Sequence, residues 1–118
     1  MTPLDPEDAK LVTLARTAYL RAYAPHRGAA QGAAVRDTDG RTYAAATVEN
    51  ADPALSTSAL RGAVSAAASS GVRTFEAAVV LGEVALDPAD LAVLREFGAG
   101  IPVLAAALDG QVRETVRT

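Results

Sequence analysis

The chain contains no cysteine and a single histidine, His26, among its 118 residues. Disulfides and thiolate metal ligands are therefore excluded, and one imidazole cannot make a histidine cluster, so no conventional zinc site and no cofactor are expected within one chain. Tryptophan is absent and aromatics are only 4% of the residues, which leaves alanine, valine and leucine to build a core by close approach. An excess of positive charge is missing too: 11 basic residues stand against 14 acidic ones, a formal net charge of -3, and the arginines are scattered. That gives nucleic acid no electrostatic footprint, and no nucleic-acid partner is expected. No apolar run approaches a bilayer span, and Met1 to Asp8 has no basic flank leading into an apolar stretch. The expectation is a cytoplasmic protein without a membrane partner.

Half of the residues are hydrophobic, enough for one compact domain over residues 1–118 without metal or disulfide staples. Asp5-Pro6 supplies an N-cap acceptor and a proline at the first helical position, and Leu11, Leu14, Ala15, Ala18 and Ala22 follow at helical spacing. The helix is expected to end at Tyr23-Ala24-Pro25, because a residue before proline is pushed out of the helical region. Gln31 to Val35 and Thr42 to Val48 read as two antiparallel strands joined through the turn Asp37 to Gly40. Ser56, Thr57 or Ser58 caps a second, alanine-rich helix running toward Ser70-Gly71. Thr74 to Leu81 is apolar without alternation, as a central strand covered on both faces would be. Asp87-Pro88 repeats the helix-start signal, and Gly98 stops that third helix. Ile101 to Ala107 and Gln111 to Val116 are then antiparallel neighbours across Asp109-Gly110. The fold class is α/β: three layers, α/β/α, with a mixed sheet of about five strands.

Several segments stand at characteristic spacing: Ala22-Tyr23-Ala24-Pro25-His26, Gly32-Ala33-Ala34, Asp39-Gly40, Val48-Glu49-Asn50-Ala51, Leu55, Ala59, Arg61 and Val93-Leu94-Arg95-Glu96-Phe97. In this order they resemble the small zinc-dependent cytidine deaminases. The resemblance implies zinc held at two helix starts by thiolates, or by a histidine and two thiolates, and a glutamate two residues after the first ligand that shuttles protons. At the corresponding positions this chain has Ser58, Asp87 and Asp90 for the ligands and Leu60 for the glutamate. Leucine carries no proton. The substrate positions differ as well, with Ala29 where the resemblance implies a phenylalanine and Thr47 where it implies an asparagine. Glu49 keeps the implied sugar-contacting type, and Thr47, Glu49 and Asn50 remain the candidate ligand-binding residues.

Each of these positions also has a plainer reading. Ser58, Asp87 and Asp90 could offer oxygen to a hard cation, but capping is favoured: Asp87 as N-cap, Asp90 accepting from backbone N–H groups in the first helical turn. Arg61 is expected either to supply the positive charge left by the ion, using the two aspartates as partners, or to face solvent. His26 with Ser58 lacks a GxSxG elbow and an orienting third group, so a surface histidine is favoured. Glu49-Asn50 either grips a ribose or ties a strand end through backbone hydrogen bonds. Tyr19, Tyr23 and Phe97 read as core or interface anchors. The leading expectation is a non-catalytic member of the deaminase fold, a structural or binding subunit that self-associates as a dimer or tetramer. Pairing with an active deaminase homologue is the alternative partnership, and the rival functions are a divergent deaminase or hydrolase with a non-thiolate metal site and a nucleoside binder that does not react.

Overall fold

Asp5 starts the first helix as its type predicts, accepting the Glu7 amide at 2.8 Å ahead of α1 (Pro6–Tyr19). The computed structural model describes residues 4–118, so the reading of residues 1–3 as carrying no leader lies outside it. Strands β1 (Gln31–Asp37) and β2 (Thr42–Ala46) follow, then a 3₁₀ turn at Pro53–Leu55 and helix α2 (Ala59–Ser69). Strand β3 (Phe75–Gly82), helix α3 (Pro88–Arg95) and strands β4 (Pro102–Ala106) and β5 (Val112–Arg117) complete the order.

The five strands form one mixed sheet in the order β2-β1-β3-β4-β5. Hairpins join β1 to β2 and β4 to β5, each through an aspartate whose carboxylate accepts an amide two residues on, Asp37 from Asp39 and Asp109 from Gln111, both at 2.9 Å. β1 and β3 are antiparallel, while β3 and β4 run parallel across the α3 crossover, the connection a parallel pair requires. The strand expected to be central is central.

Alternation along β3 divides the core. Ala77, Val79 and Leu81 face α1 with its Leu11, Val12 and Ala15. Ala78 and Val80 face the other way, into a cluster with Leu60, Ala63 and Val64 of α2 and Leu94 of α3. Helices thus cover both faces, and Phe97 closes one end by meeting Phe75 edge to face at 5.5 Å between ring centroids. Gly32 is what lets α1 lie so close: a Cβ there would overlap the Ala15 carbonyl and the Tyr19 backbone. The buried Arg36 pins the first turn of α1 to the sheet through Asp8 and Glu76, each at 3.0 Å.

Two expected boundaries are corrected. α1 ends at Tyr19 rather than at Tyr23, because Tyr23 bridges to Val48, with the Tyr23 amide donating to Thr47 O at 2.9 Å and the Glu49 amide to Tyr23 O at 2.7 Å. The second strand stops at Ala46, since Val48 also pairs with Thr57. Tyr19 packs against the core, whereas Tyr23 is exposed.

Candidate functional site

The starts of α2 and α3 meet at one corner. Ser58 caps α2, its hydroxyl oxygen accepting the Arg61 amide at 3.2 Å, and the same hydroxyl donates to Asp90 Oδ1 at 2.8 Å. Asp87 caps α3 by accepting the Ala89 amide at 2.9 Å and is exposed. Asp90 is only 5% exposed. Burial pushes its carboxyl above the ordinary range against the opposing Ser58 hydrogen bond; the charge of Asp87 pushes it further up, and that of Arg61 pulls it down. The expectation that Asp90 takes backbone N–H donors is corrected: its partner is the side chain of Ser58, which arrives from another helix.

Leu60 is the second residue of α2 and has no exposed surface, packed among the core residues of that face. Arg61 turns outward and is exposed. Among the described residues it forms no ion pair, so neither aspartate partners it directly and its effect on Asp90 is a field at longer range.

The three candidate ligand-binding residues sit on the segment after β2, and each already has partners. The Thr47 hydroxyl accepts the Gln31 amide at 2.9 Å and donates to Gln31 O at 3.3 Å. Asn50 Oδ1 accepts the Asp52 amide at 3.0 Å. Glu49, 5% exposed, takes the His26 amide at 2.8 Å, the Arg27 amide on both oxygens at 3.1 Å, and Arg27 Nε at 3.4 Å. Its burial favours the neutral form, but the two amides and the charge of Arg27 outweigh this and hold its pKa below the usual value. His26 therefore reaches the site through its backbone and not its ring. Sequence reasoning missed Arg27, whose Nη2 also donates to Asn50 O at 2.8 Å and Ser56 Oγ at 2.9 Å. No local signal marks that arginine, because its partner Glu49 is 22 residues away in the chain.

A family model for cytidine deaminase-like proteins matches residues 4–110. The chain belongs to the cytidine deaminase-like family. It is 34% identical over 111 residues to a cytidine deaminase of Sporosarcina psychrophila, covering 90% of this chain and 82% of that protein. Among solved structures, a cytidine deaminase from Burkholderia pseudomallei matches with a TM-score of 0.82 at 32% identity, over 91% of this chain and 89% of that one. A cytidine deaminase from Mycobacterium tuberculosis matches with a TM-score of 0.76 at 28% identity, over 86% and 85%.

Zinc is what a cytidine deaminase-like fold would hold at this corner, and the donors present do not fit it. A zinc ligand must offer a free lone pair in deprotonated form. Ser58 offers a proton to Asp90, and Asp87 is turned to its helix amide. Among the described residues no group of three or more His, Cys, Asp or Glu side chains is placed to share an ion.

Proposed function

We propose that this cytidine deaminase-like chain is catalytically silent and serves as a cytoplasmic structural or binding subunit. The observation that carries the reading is Leu60: where deamination needs a carboxylate to move protons onto and off the pyrimidine, an alkyl side chain is sealed into the core. The hydrogen bond from Ser58 to Asp90 supports it, because it engages with each other the side chains at two of the three positions that correspond to the zinc ligands. A hard-cation hydrolase built on Ser58, Asp87 and Asp90 would have to coordinate through oxygens that already serve the Asp87 cap and the Ser58–Asp90 bond, or through what lone pairs these leave.

Incubating the purified protein with cytidine and measuring uridine and ammonia, alongside elemental analysis for zinc and magnesium, tests the reading. The expected result is neither turnover nor stoichiometric metal. Turnover that a chelator abolishes would end it.

Self-association is part of the same proposal. Leu20, Tyr23, Val48 and Leu55 are large apolar side chains left exposed, with Tyr23 and Val48 paired side by side. A groove of about 320 Å³ between α1 and the edge strand β2, lined by Leu14, Thr17, Ala18, Arg21 and Ala44 to Ala46, is a second candidate surface. Light scattering after gel filtration is expected to give a dimer or tetramer of the 12.0 kDa chain. A monomer that gains mass only when mixed with an active cytidine deaminase would favour the heteromeric alternative.

A further inference from the structure

Residues 20–30 join α1 to β1 with no helix or strand of their own beyond the bridge at Tyr23. Past that bridge, the hold on this segment converges on one buried carboxylate. An ionised carboxylate has about four lone-pair sites. The loop approaches those of Glu49 through the His26 amide, the Arg27 amide on both oxygens, and Arg27 Nε. The far end of the guanidinium fork then reaches Asn50 O and Ser56 Oγ, so one side chain links three stretches of chain.

We propose that Arg27 is a built-in latch: it occupies Glu49 and shuts residues 20–30 over it, so that a hydroxyl-bearing ligand such as a nucleoside sugar reaches that carboxylate only when the latch opens. Two further features suit a movable fastening rather than a fixed core element. The Arg27 side chain is 39% exposed while the Glu49 side chain is 4% exposed, which leaves the cation an outward path that its acceptor lacks. Gly28 follows at φ +69°, with open space where a Cβ would stand, and supplies a backbone joint beside the arginine.

Amide hydrogen exchange on the full chain, with cytidine as the probe ligand, reads the latch. In the wild-type protein the His26 and Arg27 amides are protected, and millimolar cytidine shifts neither them nor Glu49. Arg27→Ala speeds exchange at His26 about tenfold, the effect of losing one charge-assisted contact, leaves the Val79 and Val80 amides in β3 unchanged, and admits cytidine. Arg27→Lys, which keeps the charge without the fork, falls between. Free-peptide exchange at His26 and Arg27 in the wild type overturns the latch; so does equal speeding of the β3 amides in Arg27→Ala, cytidine shifts in the wild type, or their absence in Arg27→Ala. Ammonia release from cytidine would instead overturn the silent reading, so the two failures are distinguishable.

Discussion

Glu49 and Asp90 are both 5% exposed, yet their carboxyls are displaced in opposite directions. Burial acts alike on both, since it disfavours the charged form. The difference lies in the donors. Glu49 receives two backbone amides and a guanidinium from one loop, whereas Asp90 receives a single hydroxyl and has Asp87 as a like-charged neighbour. The Glu49 corner is thus rich in positive partners, while the corner at the starts of α2 and α3 is poor in them. An ion at that second corner would reverse the balance; the side chains that stand there are a neutral hydroxyl donor and a buried leucine.

Placing a second carboxylate in the donor-poor corner sharpens this comparison most. Leu60→Glu restores the residue type that the family resemblance implies, but it buries a charge where Asp90 is already under-supplied. A loss of about 3–5 kcal/mol is expected at neutral pH, the range for an uncompensated buried charge, and it should shrink in acid as the new carboxyl takes a proton. Urea unfolding of the variant at neutral and at acid pH measures both. A variant as stable as the wild type at neutral pH would show the corner to be wet and the contrast with Glu49 to be unreal.

Next in size is Glu49→Gln, which removes the charge from the donor-rich corner. The folded-state pKa of Glu49 lies below its ordinary value, so its charge contributes stability that is fully present above the unfolded pKa and is lost as pH falls through the folded one. The variant is expected to be less stable than the wild type at pH 7, and the two curves should converge in acid. A difference that persisted unchanged into strong acid would trace the loss to packing instead of charge.

Much of this contrast was hidden from the sequence. Local signals located the elements well: Asp5-Pro6 and Asp87-Pro88 opened helices, and Asp37 to Gly40 and Asp109-Gly110 closed hairpins, because caps and turns depend on neighbours in the chain. An apolar run without alternation also marks β3 as the doubly covered strand. What failed was non-local. Helical spacing runs on to Tyr23, but Val48, far along the chain, claims its backbone. Asp90 in a first helical turn predicts local amide donors, yet its partner is Ser58, 32 residues earlier. Arg27 passed unnoticed because a loop arginine has no pattern of its own until Glu49 is folded beneath it. The absence of thiolate donors is a matter of residue types alone, since no fold can supply a thiolate that the sequence lacks.

Ser58→Ala tests how much the one donor at Asp90 contributes. It removes both the cap of α2 and the hydroxyl that reaches α3, and a cost of about 1–2 kcal/mol in thermal or urea unfolding is expected from the two together. Asp90→Asn should then be more favourable in the Ser58→Ala background than in the wild type, because the carboxylate there has lost its one donor and its charge costs more. Strict additivity would mean that the hydroxyl and the carboxylate stabilise the fold separately.

The smallest effect, and the one most diagnostic in sign, belongs to Asp90→Asn alone. The folded-state pKa of Asp90 is raised, so the native state binds its proton more tightly than the unfolded chain does. Stability from this group therefore falls as pH rises from the unfolded pKa through the folded one, and above that window the charged form is a standing cost. Asparagine keeps an oxygen to accept the Ser58 hydroxyl and removes the charge, so the variant should match or slightly exceed the wild type at pH 7, the reverse of Glu49→Gln. The field at the start of α3 favours an anion and limits the gain. If Asp90→Asn instead lowered stability at pH 7 by as much as Ser58→Ala does, a positive partner would have to be holding the carboxylate charged, and the two corners would no longer differ in kind.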